Sequence, residues 1–228
     1  MLVETAHSPG DQRRELLENA RLYLIVEAEP GRRPVAPLVR AALEGGVDIV
    51  QLREKAGDTA MAERAAADLR TLCDEHSALL IVNDSPELAL ASGADGVHLG
   101  QDDMPVDRAR AIVGGDLLIG ISTHDTEQIA TARDATVDYL GVGPVHATPT
   151  KPGAAPVGEA LLRHAAELAG KPFFAIGGID AASAPAAVKA GASRLAVVRA
   201  IRDADDPRAA ARELRAAMAL EERVGAAR

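Results

Sequence analysis

Three carboxylates stand where apolar runs come to an end. Asp102 and Asp103 follow the run in GVHLGQDDMP at 96–105, and Asp84 closes LLIVND at 79–84. A simple turn is served by one Asp or Asn, so a second acidic residue at 102–103 asks for another use. Carboxylates at two neighbouring strand ends can hold Mg²⁺, which takes few carboxylates and fills its remaining positions with waters and substrate phosphates. The same residues have plainer uses: Asp84 can start an Asx turn or cap a helix at Pro86, and Asp103 can cap one at Pro105. No His/Cys spacing suggests zinc.

Cations fall at similar places. QLREK sets Gln51, Arg53 and Lys55 at period two, on one side of an otherwise buried strand, where two inward charges are costly without an anion to meet them. A solvated strand end is the alternative for that segment taken alone. GPVHATPTKPGAAPVG at 143–158 is too long and too rich in Pro and Gly for a minimal turn, and it carries Thr148, Thr150 and Lys151. Such composition suits a functional loop as well as a passive surface one. AIGGID at 175–180 puts Gly177 and Gly178 where backbone N–H groups can approach a ligand. His98 sits mid-strand, where a lone His is usually a hydrogen-bonded core residue, and His124 suits a helix start. No nucleophile, base and acid form a triad, and Cys73 lies in a helical pattern as inert packing.

The elements that must position these residues alternate along the chain. Apolar runs at 21–26, 48–54, 79–84, 96–100, 117–122, 138–143, 173–178 and 194–201 are continuous, as in parallel strands covered on both faces. Ala-rich helical stretches lie between them, with Asp58 and Asp125 at N-cap positions and Pro86 and Pro105 in first turns. A second repeat precedes every other strand: GGVD at 45–48, SGAD at 92–95, ATVD at 135–138 and AGAS at 190–193. Gly45 and Gly93 there suit left-handed helix C-caps. Eight βα units with a two-unit echo predict an α/β fold, a single (β/α)8 TIM barrel over residues 1–228 with a short N-terminal helical extension and residues 1–12 loose. An open doubly wound sheet is the alternative. In a barrel the polar strand ends converge on one mouth, with the phosphate position at strands 7 and 8.

Composition narrows the partners. A hydrophobic content of 47% fills a core without Trp, and the net charge of −9 argues against a general nucleic-acid or membrane surface. A lone cysteine, no signal-peptide pattern and no long apolar run point to a cytoplasmic protein. Homo-oligomerisation is left open.

QLREK, VND, GVHLGQDDMP, GIS, GPVHATPTKPG, IGGI and VVRAI, in this order, resemble the thiamine-phosphate synthase (thiamine-phosphate pyrophosphorylase) family from about residue 20 to 215. The resemblance implies a (β/α)8 barrel that joins a hydroxymethylpyrimidine diphosphate to a thiazole phosphate with Mg²⁺ bound, releasing pyrophosphate. It implies that Gln51, Leu52, Arg53, Glu54, Lys55 and Asn83 hold the pyrimidine diphosphate, that His98 lines the pyrimidine pocket, and that Ser122 and Lys151 close on the diphosphate. Thr148, Pro149, Thr150, Gly178, Val198 and Arg199 would border the thiazole phosphate. Arg53, Lys55, Ser122 and Lys151 would be catalytic, by stabilising the departing charge, and Asp84 and Asp103 would be the Mg²⁺ ligands, leaving Asp102 to shape the turn. Two residues depart from the family pattern: His146, where an apolar or aromatic residue is usual, and Arg199, where Ser is common. A thiazole tautomerase-like relative, with His124 moving the proton, and a non-catalytic sensor of a thiamine precursor are the alternatives.

Overall fold

The computed structural model describes residues 8–29, 34–54, 58–149 and 155–226, with side chains to residue 219. Its strands are β1 (Leu22–Val26), β2 (Ile49–Leu52), β3 (Leu79–Asn83), β4 (Gly96–Leu99), β5 (Leu118–Thr123), β6 (Tyr139–Val142), β7 (Phe173–Ile176) and β8 (Leu195–Val197). They pair in parallel in sequence order, and β8 returns to β1 to close the barrel. Closure rules out the open sheet. The helices are α1 (Pro9–Asn19), α2 (Val35–Glu44), α3 (Thr59–Glu75), α4 (Pro86–Ala91) and α5 (Val106–Val113). They continue as α6 (Thr126–Asp134), α7 (Gly158–Leu168), α8 (Ala184–Lys189), α9 (Arg199–Arg202) and α10 (Pro207–Ala226).

Apolar residues separate into two cores because successive strand residues face opposite sides. Leu24, Val50, Leu80, Val97, Ile119 and Leu140 pack outward against the helices. Tyr23, Ile49, Leu79, Ile81, Leu118, Tyr139 and Phe174 fill the barrel interior, sealed from below by Leu17 and Ala20 at the end of α1. The two tyrosines and Phe174 meet edge to face or tilted, with ring centroids 5.2–6.0 Å apart. Gly120 makes this packing possible, since a Cβ there would run into the Tyr139 ring.

The two-unit sequence repeat is a set of clasps at the bottom of the barrel. Each Asp ahead of an even strand accepts a backbone N–H from the start of the preceding odd strand: Asp48 from Leu22 (2.9 Å), Asp95 from Leu80 (2.9 Å) and Asp138 from Ile119 (2.8 Å). An arginine on a helix faces each carboxylate, Arg215, Arg70 and Arg110 respectively, at 2.6–2.7 Å. Arg13 and Arg14 of α1 add pairs to Asp95 and Asp138, both at 3.0 Å. Ser193 stands at the fourth position, where its hydroxyl accepts from Arg194 at 3.3 Å.

Four expectations are corrected. Residues 8–12 are ordered: Ser8 and Asp11 form a capping box, with Pro9 in the first turn of α1. The run 194–201 splits at Val198, where the backbone leaves the strand and α9 begins. Gly45 is not left-handed; Gly46 is (φ 102°), while Gly45 is needed because a Cβ would meet the Arg208 carbonyl at 2.5 Å. Pro105 is the N-cap of α5 rather than its first residue. Asp58 and Asp125 cap α3 and α6 as the sequence predicts. Among the described residues no helix is long and apolar enough to cross a membrane.

Candidate active site

At the C-terminal mouth of the barrel lies a cavity of about 450 Å³. Gln51, Arg53, Asn83, Asp84, His98, Asp103, Ser122, Thr148, Gly178, Val198 and Arg199 all line it. These residues come from seven strand ends far apart in sequence, and parallel closure is what gathers them. Leu52 points the other way, into the outer core, as the residue between Gln51 and Arg53 must. Glu54 is half-buried and Pro149 exposed, and neither lines the cavity. Lys55, Thr150 and Lys151 lie outside the described residues.

One wall of the cavity is built by the ends of β2 to β5. Arg53, one residue beyond β2, donates its backbone N–H to Val26 at 2.8 Å, so its side chain starts from a fixed point. It is half-buried and in no ion pair among the described residues, which leaves a cation in want of an anion. Asp84 holds a left-handed backbone (φ 63°) just past β3, and Ser85, not Asp84, caps α4 by accepting from Leu88 at 3.1 Å. Asp103 caps no helix either. Its carboxylate turns back to accept the Gly100 N–H at 2.7 Å. Asp102 beside it is exposed and off the cavity wall. Both plainer readings of the two carboxylates as helix caps are thus excluded. Among the described residues no group of three or more His, Cys, Asp and Glu comes together to hold a metal. A two-carboxylate donor set suits Mg²⁺, which keeps waters and takes substrate phosphates, and does not suit zinc.

The opposite wall is built by the ends of β6, β7 and β8. Val145 and His146 donate backbone N–H groups to Ile176 and Gly177 at 2.8 and 2.9 Å, stitching the loop after β6 onto β7. Gly177 and Gly178 both have positive φ, and a Cβ at either would strike Pro144 or His146, at 2.5 and 2.8 Å. Asp180 accepts from the backbone of Ser183 and Ala182, and the Ser183 N–H is the main reason its carboxyl lies below the usual carboxylate range. Asp203 is held low chiefly by its hydrogen bond from Arg202, with Arg199 adding to the effect. Arg199 itself is exposed at the rim.

The floor holds residues that sequence reasoning missed. Tyr23 and Tyr139, read as apolar strand positions, place their hydroxyls beneath Gln51 and His98. Gly120 and Gly141 were the available signals: glycines inside strands mark close approach of another group, here the Tyr139 ring and the His98 ring. His124, treated as a helix-start residue, also lines the cavity, its Nδ1 paired with the Gly143 carbonyl.

A family model described as thiamine monophosphate synthase matches residues 22–201. The chain belongs to the thiamine monophosphate synthase family. Among its relatives are the thiamine-phosphate synthase of Mycobacterium bovis, 50% identical over 213 residues (89% of this chain, 96% of that one), and that of Saccharopolyspora erythraea, 49% identical over 210 residues (89% and 94%). A solved structure of thiamine phosphate pyrophosphorylase from Pyrococcus furiosus superposes with a TM-score of 0.83 at 36% identity, covering 90% of this chain and 98% of that one. Family membership therefore extends over the strands that build the cavity.

Proposed function

We propose that this enzyme, a transferase, makes thiamine phosphate by joining 4-amino-2-methyl-5-hydroxymethylpyrimidine diphosphate to hydroxyethylthiazole phosphate. The observation that carries this reading is the single cavity where Arg53, Asn83, Asp84, Asp103 and Ser122 face one ligand end and Thr148, Gly178, Val198 and Arg199 the other. A two-anion substrate pair fits such a divided site.

The chemistry asks for no general base at the reacting carbon. The aminopyrimidine pushes electron density towards its exocyclic CH₂, the C–O bond breaks, and both bonding electrons leave with the diphosphate. The thiazole nitrogen then gives its lone pair to the CH₂ cation, forming the C–N bond. Arg53, Lys55, Ser122 and Lys151 are assigned to hold the diphosphate as its charge grows, and Gln51, Asn83 and His98 to orient the pyrimidine, so the rate comes from electrostatics and positioning. Asp84 and Asp103 are assigned as Mg²⁺ ligands; when bound, the ion neutralises charge on the leaving diphosphate. Thr148, Thr150, Gly178, Val198 and Arg199 are assigned to the thiazole phosphate, where a guanidinium can grip a phosphate bidentately. One barrel domain in the cytoplasm is proposed to carry the whole reaction.

The test is direct. Purified protein incubated with both substrates and Mg²⁺ should yield thiamine phosphate by mass, together with pyrophosphate. Absence of that product, or isomerisation of a thiazole phosphate supplied alone, would replace this reading with the tautomerase one.

A further inference from the structure

Four hydrogen bonds run unbroken across the barrel floor. Gln51 Nε2 donates to Tyr23 Oη at 2.7 Å, Tyr23 Oη meets Tyr139 Oη at 3.0 Å, Tyr139 Oη meets His98 Nδ1 at 3.2 Å, and His98 Nε2 meets Ser122 Oγ at 3.0 Å. Gln51 and the tyrosines are buried, with 2% or less of their surface exposed. The end members, Gln51 and Ser122, line the cavity. The tyrosines do not.

Counting protons fixes the direction of every bond. Tyr23 accepts from the Gln51 amide, so its single O–H has Tyr139 as its acceptor. Tyr139, having accepted, gives its own proton to His98 Nδ1. A neutral His98 then carries its proton on Nε2 and donates to Ser122, which leaves the Ser122 O–H to point to a ligand. At the other end, with Nε2 engaged, Gln51 has its carbonyl oxygen left for the ligand. Turning the amide over reverses each step: the ring proton moves to Nδ1, Ser122 spends its O–H on His98, and Ser122 faces the ligand as an acceptor. With a neutral ring, mixing the two directions either strands a buried phenol proton without an acceptor or sets the two phenol oxygens 3.0 Å apart with no proton between them, and both are costly; a doubly protonated ring fits only the turned amide. Burial also pushes both phenols well above their ordinary pKa, so they keep their protons.

We propose that Tyr23 and Tyr139 are positioning residues that couple the polarity of Gln51 to that of Ser122, so that an N–H donor bound at Gln51 and an anion bound at Ser122 are recognised as one state. The idea rests on the proposed function only in taking Gln51 and Ser122 as substrate contacts. It gives the site a basis for selecting an aminopyrimidine over its oxo counterpart. An oxo group needs a donor from Gln51, and the turned amide on a neutral ring would present the Ser122 lone pairs to the diphosphate, while freeing the Ser122 O–H would require a second proton on His98.

The His98 tautomer reads the relay in the ligand-free protein, whatever the reaction proves to be. Long-range ¹H–¹⁵N spectra, with His98 assigned by its loss in His98→Asn, should show the Nε2–H tautomer in the wild type. Tyr23→Phe removes one oxygen that does not touch His98, yet it should bring the ¹⁵N shifts towards the average of two tautomers; Tyr139→Phe should do the same. Competition binding of the amino and oxo pyrimidine diphosphates should show the preference for the amino form falling by about tenfold in either variant, the scale of one net hydrogen bond. An Nδ1–H ring in the wild type, or a folded Tyr23→Phe whose His98 shifts and amino/oxo preference both match the wild type, would overturn the coupling. Should one variant fail to fold, the other decides by the same two readouts. Failure of the product assay with the tautomer shifts as expected would instead count against the proposed reaction and leave the relay standing.

Discussion

The Asp103 carboxylate holds the Gly100 N–H at 2.7 Å, bracing the turn that carries the chain off β4 and into the cavity wall. Asp102, next in line, contributes neither to that brace nor to the wall. Two adjacent acids thus have separate employment, one facing the cavity and one facing solvent.

Turnover should therefore depend on Mg²⁺ and stop in EDTA. Asp84→Asn and Asp103→Asn should each lose about 10²-fold or more in kcat, the scale of a lost electrostatic contribution to a transition state. An Asn at 103 can still accept from Gly100 through its carbonyl, so circular dichroism should show an intact fold. Asp102→Asn should stay close to wild type. Full activity in EDTA, or a larger loss at 102 than at 103, would refute the metal assignment.

The two walls should separate in binding. Arg53→Ala should weaken the pyrimidine diphosphate and leave the thiazole phosphate nearly unaffected, and Arg199→Ala should do the reverse. Calorimetric titration of each ligand into each variant checks this. Arg199 is exposed at the rim, so its loss should be the milder, within about tenfold, whereas a half-buried charge–anion contact at Arg53 is worth more.

Asp95→Ala should unfold the protein more easily without touching kcat. It would take one ion pair from each of Arg70 and Arg13, Arg70 keeping its pair to Asp74, and leave the Leu80 N–H without its acceptor. The three side chains retain 13–22% exposure, so water recovers part of the loss, and a cost of about 2–3 kcal/mol is expected. Urea denaturation should show a lower midpoint with an unchanged slope.

Cys73 should be silent towards thiol reagents until the barrel opens. Burial, the dominant cause, raises its pKa from 9.0 to about 12, and the thiol is fully covered. Alkylation should follow the unfolded fraction through a urea titration. The sign of the pH effect is set by the same shift: below pH 9 the thiol is neutral in both states and stability is undiminished, while between pH 9 and about 12 only the unfolded chain ionises, so stability falls. Cys73→Ala should flatten that decline.

The barrel was legible because its strands are covered on both sides: LLIVN and FFAI cannot be edge or surface strands, and alternation with helices leaves a parallel sheet. The polar ends of those strands gave the cavity wall directly, since position along a barrel strand decides which end a residue occupies. Closure was read from the count of units alone, and the relay was not read at all. Closure depends on β8 finding β1, a contact between residues far apart in sequence, and AGAS lacks the acidic clasp of its three sister segments. The relay was hidden for a different reason. Tyr23 and Tyr139 look like apolar strand residues, and only the barrel curvature brings their hydroxyls to 3.0 Å. Asp84 and Asp103 were ambiguous between cap and cavity until Ser85 and Pro105 were seen at the cap positions.

The composition of the floor also gives the protein a built-in optical probe. There is no tryptophan, and the only two tyrosines are the pair inside the barrel. Near-ultraviolet absorption and emission therefore come almost wholly from one spot, directly below Gln51 and His98. A ligand that reverses the direction of hydrogen bonding there changes which neighbour each phenol donates to, Tyr139 exchanging a ring nitrogen for a phenol oxygen, and that alters its band position and quantum yield. Occupancy of the cavity can thus be followed without a label, against a dark background, by light absorbed at the bottom of the site.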